Sequence, residues 1–283
     1  MALIDLSWSV VVGLLALGLV TGFLAGLLGI GGGMLMVPFL TLLLGHAGVD
    51  ADRAVKMAIA TAMATILFTS LASVRAHHRR GGVRWPIVRG MAPGIAVGGL
   101  LAGTAAFAVL KGQTLALVFG GFVCFSATQI LLDRKPRPSR QMPGPLGTAA
   151  VGTGLGFVSG LVGAGGGFIS VPFMTWCNVP IHAAVATSAA LGFPIALANT
   201  LGYVIGGWNL PSAVPGAFGY LWLPALAVMA AASVTMAPLG VVDQQHAQAA
   251  LAGLRGAEQA GGTGADDHHV EVQHQARTEC HNI

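Results

Sequence analysis

The sequence predicts an all-α protein with several membrane spans, built as two repeats whose helices break at triple-glycine motifs. Three observations lead there. Hydrophobic residues make up 54% of the 283 and charged residues only 8%, whereas a soluble domain carries about 25% charge. The apolar residues form long continuous runs, which excludes the period-two alternation of a membrane β-barrel. One fourteen-residue stretch occurs twice, at 26–39 and 160–173, with nine identical positions at a spacing of 134 residues. The five differences fall outside the glycines and the Val-Pro-Phe that closes each copy.

A span needs about 20 apolar residues, and 8–28 supplies the first. Asp5 is the only charge before it, so no basic leader of a cleaved signal peptide is expected. Residues 29–33 break the helix, because consecutive glycines each cost about 1 kcal/mol relative to Ala in a helix interior. Residues 34–44 read as a half-length helix starting just after the glycines, with Pro38 where the first turn ends. A polar loop at 45–53 holds Asp50, Asp52 and Arg53, and 54–74 is a full span. A basic loop follows at 75–85, containing His77 and His78. Residues 87–110 span again, with Pro93 and a close-packing set at Gly94, Gly98, Gly99 and Gly103. After a turn at 111–113, 114–132 is a further span, and the proline-rich, basic segment 133–145 is an exposed connector.

The second half follows the same plan. Residues 146–161 lead into the break at 162–167, and 168–177 is a half helix carrying Pro172. A loop at 178–182, a span at 183–205, an uncharged loop at 206–219 and a span at 220–236 complete it. Ala58-Ile59-Ala60-Thr61 matches Ala184-Val185-Ala186-Thr187, so the likeness continues beyond the glycines. The expected organisation is a first transmembrane repeat at 1–135, a basic cytoplasmic linker at 136–144 and a second repeat at 145–240. The second repeat lacks a counterpart of the 114–132 helix.

Arg75, Arg79, Arg80, Arg84 and Arg89 place the 75–85 loop in the cytoplasm by the positive-inside rule, and the four basic residues of the linker place it there too. The loop at the equivalent place in the second repeat, 206–219, has no charge. That asymmetry points to repeats of opposite orientation, a transporter plan with its site near the bilayer midplane.

At each break a new helix N-terminus presents N–H groups without intrahelical partners and about half a positive charge. Glycine leaves room for an anion to approach such a terminus closely. Substrate-binding candidates are therefore Gly29, Gly31, Gly32 and Gly33 in the first copy and Gly163, Gly165, Gly166 and Gly167 in the second. Thr61, Thr187 and Ser188 are candidate hydroxyl donors, and Pro38 and Pro172 are structural. The competing reading gives the glycines only a packing role. A nucleotide P-loop is excluded, since Met34 or Phe168 stands where Lys-Ser/Thr is required. Cys124, Cys177 and Cys280 show no metal or redox spacing; neither a metal nor a cofactor is expected. No HExxH, Ser/His or paired-carboxylate arrangement lies in a span, so no enzyme activity is expected. A membrane scaffold or sensor is the alternative, against which stand the paired breaks and the lack of a sizeable soluble domain before the tail.

The two motifs LLGIGGGMLMVPFL and LVGAGGGFISVPFM, the AIAT and AVATS after them, the HHRRGGVRW loop and the late Ala237-Pro238-Leu239-Gly240 together resemble the sulfite exporter TauE/SafE family of membrane permeases. The resemblance covers about 20–240. It implies a multi-pass plasma-membrane permease for small anions such as sulfite, sulfonates or other organosulfur acids. The expected partners are the anionic substrate and the lipid bilayer, with no nucleic acid. His77 and His78 resemble the family's loop histidine, for which a proton or gating role competes with a solvated basic loop. Ala62 stands where the second repeat has Ser188, so the two half-sites differ chemically.

Residues 1–240 carry twelve Lys/Arg and four Asp/Glu, whereas 241–283 carry two and six, with five of the nine histidines. The tail contains no run approaching 20 apolar residues. We expect it to be disordered and without a metal site, and its composition suggests out-of-frame translation of a final helix.

Overall fold

The computed structural model describes residues 8–28, 32–132 and 140–240. All belong to the first of two units, 1–241. The second unit lies outside the described residues, and with it the expectations for the tail. Along the chain run α1 (Trp8–Leu28), α2 (Gly33–His46), α3 (Ala51–Arg79), α4 (Trp85–Val109), α5 (Gly112–Leu131), α6 (Pro145–Val162), α7 (Gly167–Trp176) and α8 (Ile181–Gly207). A two-residue ribbon pairs Ala217–Phe218 antiparallel to Leu221–Trp222, and α9 (Leu223–Gly240) closes the set. Among the described residues, six helices are long and apolar enough to cross a membrane: α1, α3, α4, α6, α8 and α9. The protein is a polytopic all-α membrane protein.

The helices begin and end for identifiable reasons. Asp50 caps α3, its carboxylate accepting the Asp52 N–H at 3.1 Å, which draws the expected 45–53 loop into helix from Ala51 onward. At the other end α3 continues through Arg79. His77, His78 and Arg79 thus form its last turn, where cations suit the helix dipole, and the expected basic loop shrinks to 80–84. Gly81, at φ 69°, turns the chain back. The final span begins three residues later than expected, because Tyr220–Trp222 belong to the ribbon. Inside α4 a π turn covers Ala102–Ala106. It coincides with a backbone crossing, where a Cβ on Gly103 would lie 2.7 Å from the Gly202 Cα.

The longer helices pair across the two halves of the sequence. A Cβ on Gly152 would strike the Met91 backbone and one on Gly156 the Ile95 backbone, while Gly94 and Gly98 press on Ala149 and Thr153. Numbers rise together, so α4 and α6 run parallel. Gly18 meets Met229, Gly22 meets Ser233 and Gly240 meets Phe23, so α1 and α9 also run parallel. Ser70 of α3 faces Gly192 of α8, and Gly82, three residues past the end of α3, faces Ala186, a descending register that makes them antiparallel. The core between them holds the fully buried Met57, Ile59, Met63 and Ile66 of α3 with Leu191 and Ile195 of α8. Small residues permit this approach, which in a bilayer rests on contact rather than hydrophobic drive.

Candidate functional site

The second glycine motif is described in full. Gly163 ends α6 at φ 71°, its N–H bonded to the Ser159 carbonyl at 2.8 Å. Gly166 precedes α7 at φ 78°. Gly32 takes the same left-handed conformation, φ 72°, before α2. L-residues other than Asn and Asp rarely occupy this region, so glycine here is a backbone requirement. Neither α2 nor α7 has a side-chain cap on its N-terminus, and Gly32, Gly33, Gly166 and Gly167 are all buried. Gly29 and Gly31 lie outside the described residues.

The two motifs meet. A Cβ on Gly33 would collide with the Gly163 carbonyl oxygen, and one on Gly163 would lie 3.0 Å from Val37 and 3.3 Å from Ile59. The start of α2 is therefore packed backbone to backbone on the second break, midway along α3. Pro38 and Pro172 each stand at the sixth helical position of their half helices, slightly deeper than expected. Each withholds the hydrogen bond that the Met34 or Phe168 carbonyl would otherwise accept.

Thr61 and Thr187, both fully buried, make matching bonds. The Thr61 hydroxyl oxygen accepts the Trp222 N–H at 3.0 Å, just ahead of α9, and that of Thr187 accepts the Arg84 N–H at 3.0 Å, just ahead of α4. Each threonine thus ties its own helix to the loop of the other half. Ser170 of α7 donates to the Ser188 hydroxyl at 2.8 Å. At the corresponding places in the first half stand Met36 and Ala62, both fully buried, so that pair is apolar.

Beside the junction lies a narrow cleft between α1, α3, α8 and the second break. It is lined by Ala25, Ile66, Thr69, Ser70, Ser73, Gly165, Ala189 and Gly192. Of the sequence-derived candidates Gly165 alone reaches it among the described residues. The hydroxyls that do reach it were missed. Two of the three, Thr69 and Ser73, belong to a series, Thr61, Thr65, Thr69, Ser73 and His77, in which each residue follows the last by four and all are buried; Ser70 stands next to Thr69. Each member of the series lies one turn above the last, in a row that winds about 40° around α3 at each step, and that spacing was legible. The Thr65 and Thr69 hydroxyls donate back to the carbonyls at 61 and 65, at 2.9 and 3.1 Å, a common habit of Thr in helices. Thr69 also meets the Ser233 hydroxyl of α9 at 2.6 Å. Ser70 donates to Leu67 at 3.0 Å. Ser73 Oγ and His77 Nε2 are buried without a hydrogen-bond partner among the described residues.

His77 is not in a solvated loop. It is 6% exposed, with its ring set against the Gly26 backbone. Tyr203 occupies the matching place on α8 and donates its hydroxyl to the Gly160 carbonyl. His78 is exposed instead, and its Nδ1 accepts the Trp85 indole N–H at 3.1 Å. The charged cluster at the far end of α3 is structural. Lys56 pairs with Asp52 at 3.4 Å, and Asp52 accepts the Gly112 N–H that opens α5.

Comparison with known proteins agrees with this architecture. The profile of the family described as sulfite exporter TauE/SafE matches residues 14–253, running past Gly240 where the sequence resemblance ended. A probable membrane transporter protein of Haemophilus influenzae is 33% identical over 227 residues, covering 80% of this chain and 86% of its own. One from Methanocaldococcus jannaschii is 26% identical over 261 residues, covering 86% and 91%. The probable membrane transporter protein YunE of Bacillus subtilis is 29% identical over 233 residues, covering 72% and 84%. No solved structure matches.

Proposed function

The chain belongs to the sulfite exporter TauE/SafE family and is a multi-pass membrane transporter; from that premise we propose that it moves small anions across the plasma membrane as a secondary permease, with sulfite, sulfonates or other organosulfur acids as the substrate class. The observation that carries the reading is a pair of buried, uncapped helix N-termini at one break, that of α2 packed on Gly163 and that of α7 following Gly166, with a cleft lined by hydroxyls beside them. Each terminus contributes about half a positive charge and unpaired N–H groups, and broken helices of this kind hold anionic groups in other transporters. The two halves are read as inverted repeats. Helix directions support this: α3 runs opposite to α8, its counterpart in the second half. The test is uptake of labelled sulfite, sulfoacetate and taurine into vesicles containing the purified chain. Uptake of none above protein-free vesicles would remove the anion reading.

A further inference from the structure

Resting on the anion reading above, we propose that the cleft on α3 selects singly charged oxyanions over doubly charged ones, and that the Ser73 hydroxyl is the side-chain donor that binds them. No Lys, Arg, His, Asp or Glu lines the cleft among the described residues. A ligand there must be stabilised by neutral donors and helix ends. The cost of moving an ion out of water grows with the square of its charge, and for a single charge it is already several kcal/mol in a protein. A dianion pays about four times the electrostatic cost of a monoanion of the same size, and the cleft offers no cation to offset it. The two nearby N-termini, α7 beginning two residues after Gly165 and α2 packed against Ile66, supply about half a charge each. The α6 C-terminus at Gly163 offsets part of this, so nothing there balances a second negative charge.

Hydroxyl bookkeeping singles out Ser73. A serine or threonine has one proton to donate. Thr69 and Ser70 direct theirs to backbone carbonyls or to Ser233. Ser73, 2% exposed and lining the cleft, has no partner among the described residues, which is costly unless a ligand or water fills the place. The second half does not repeat the α3 hydroxyls. Where α3 has Thr69, Ser70 and Ser73, α8 has Ile195, Ala196 and Asn199. The Ile195 side chain lies against Gly166, and the Asn199 amide is turned onto the Gly156 and Ile195 carbonyls.

The experiment uses the full chain in proteoliposomes, with labelled methanesulfonate as the monoanion, sulfate as the dianion of similar size, and sulfite as reference. Methanesulfonate is expected to enter at least tenfold faster than sulfate. Ser73→Ala should lose about tenfold in apparent affinity for methanesulfonate, the lower end of what a hydrogen bond to a charged group contributes, and Ser73→Thr should restore most of it. Monodisperse elution of each variant excludes misfolding. Equal rates for sulfate and methanesulfonate overturn the charge selection, and wild-type affinity in folded Ser73→Ala overturns the role of Ser73. Sulfite uptake without methanesulfonate uptake overturns the inference while leaving the anion reading intact; movement of none of the three removes both.

Discussion

At the residue scale, the glycines of this protein separate into kinds that substitution distinguishes. Gly192 stands in ordinary helix geometry on the wall of the cleft, where a Cβ would sit 3.3 Å from Ser70 Cβ and 3.8 Å from the Gly165 carbonyl. Gly192→Val fills the cleft without a backbone collision. We expect a loss of transport of tenfold or more, with a thermal unfolding midpoint close to wild type; normal uptake in folded Gly192→Val would show that the cleft is not on the path. Gly33→Ala should behave oppositely, because its Cβ meets a backbone oxygen that cannot move aside. Poor yield and an early unfolding midpoint are expected. Gly32 and Gly166 demand a left-handed backbone, so Val at either strains the fold as well as crowding the site. These positions cannot separate binding from packing.

At the element scale, the two threonine ties join helix starts across the halves. Thr61→Val keeps the shape of the side chain but leaves the Trp222 N–H, on a residue 1% exposed, without its acceptor. The expected cost is about 1–3 kcal/mol. Thr187→Val should cost less, since the Arg84 N–H is only partly buried. Chemical or thermal unfolding in detergent checks both, and wild-type stability for Thr61→Val would contradict the tie. Much at this scale was legible. The half helices after the glycines, the long runs and their order all follow from hydrophobic patterning. The ends were harder to read: the Asp50 cap and the basic last turn lengthen α3 through residues whose composition reads as loop. His77 was misplaced for the same reason. Its neighbours are charged and exposed, while its own side of the helix faces α1.

At the scale of the whole molecule, the opposite directions of α3 and α8 support opposite orientations of the halves. Labelling from outside intact cells tests this. With Cys124, Cys177 and Cys280 replaced, Arg79→Cys and Asn209→Cys are both on exposed positions, at ends of α3 and α8 that the inverted arrangement puts on opposite faces. Only Asn209→Cys should react with a membrane-impermeant maleimide. Reaction of both would defeat the inverted arrangement.

The sequence by itself determined the class, the count and order of most helices, the duplicated break and the family likeness. These depend on composition, on periodicity and on the backbone cost of consecutive glycines, all of which are local. The tertiary structure decided what those parts do to one another. It set α2 on the second break, tied Thr61 and Thr187 to loops 161 and 103 residues away, and drew the α3 hydroxyls to the cleft. A hydroxyl's role depends on which donors and acceptors surround it, and those arrive from helices distant in the chain. Thr61 and Ser73 belong to one series of four-residue steps along α3, about three turns apart. One is satisfied by a backbone N–H from the other half and the other is left unpartnered, a difference set by packing and invisible in the spacing that places them.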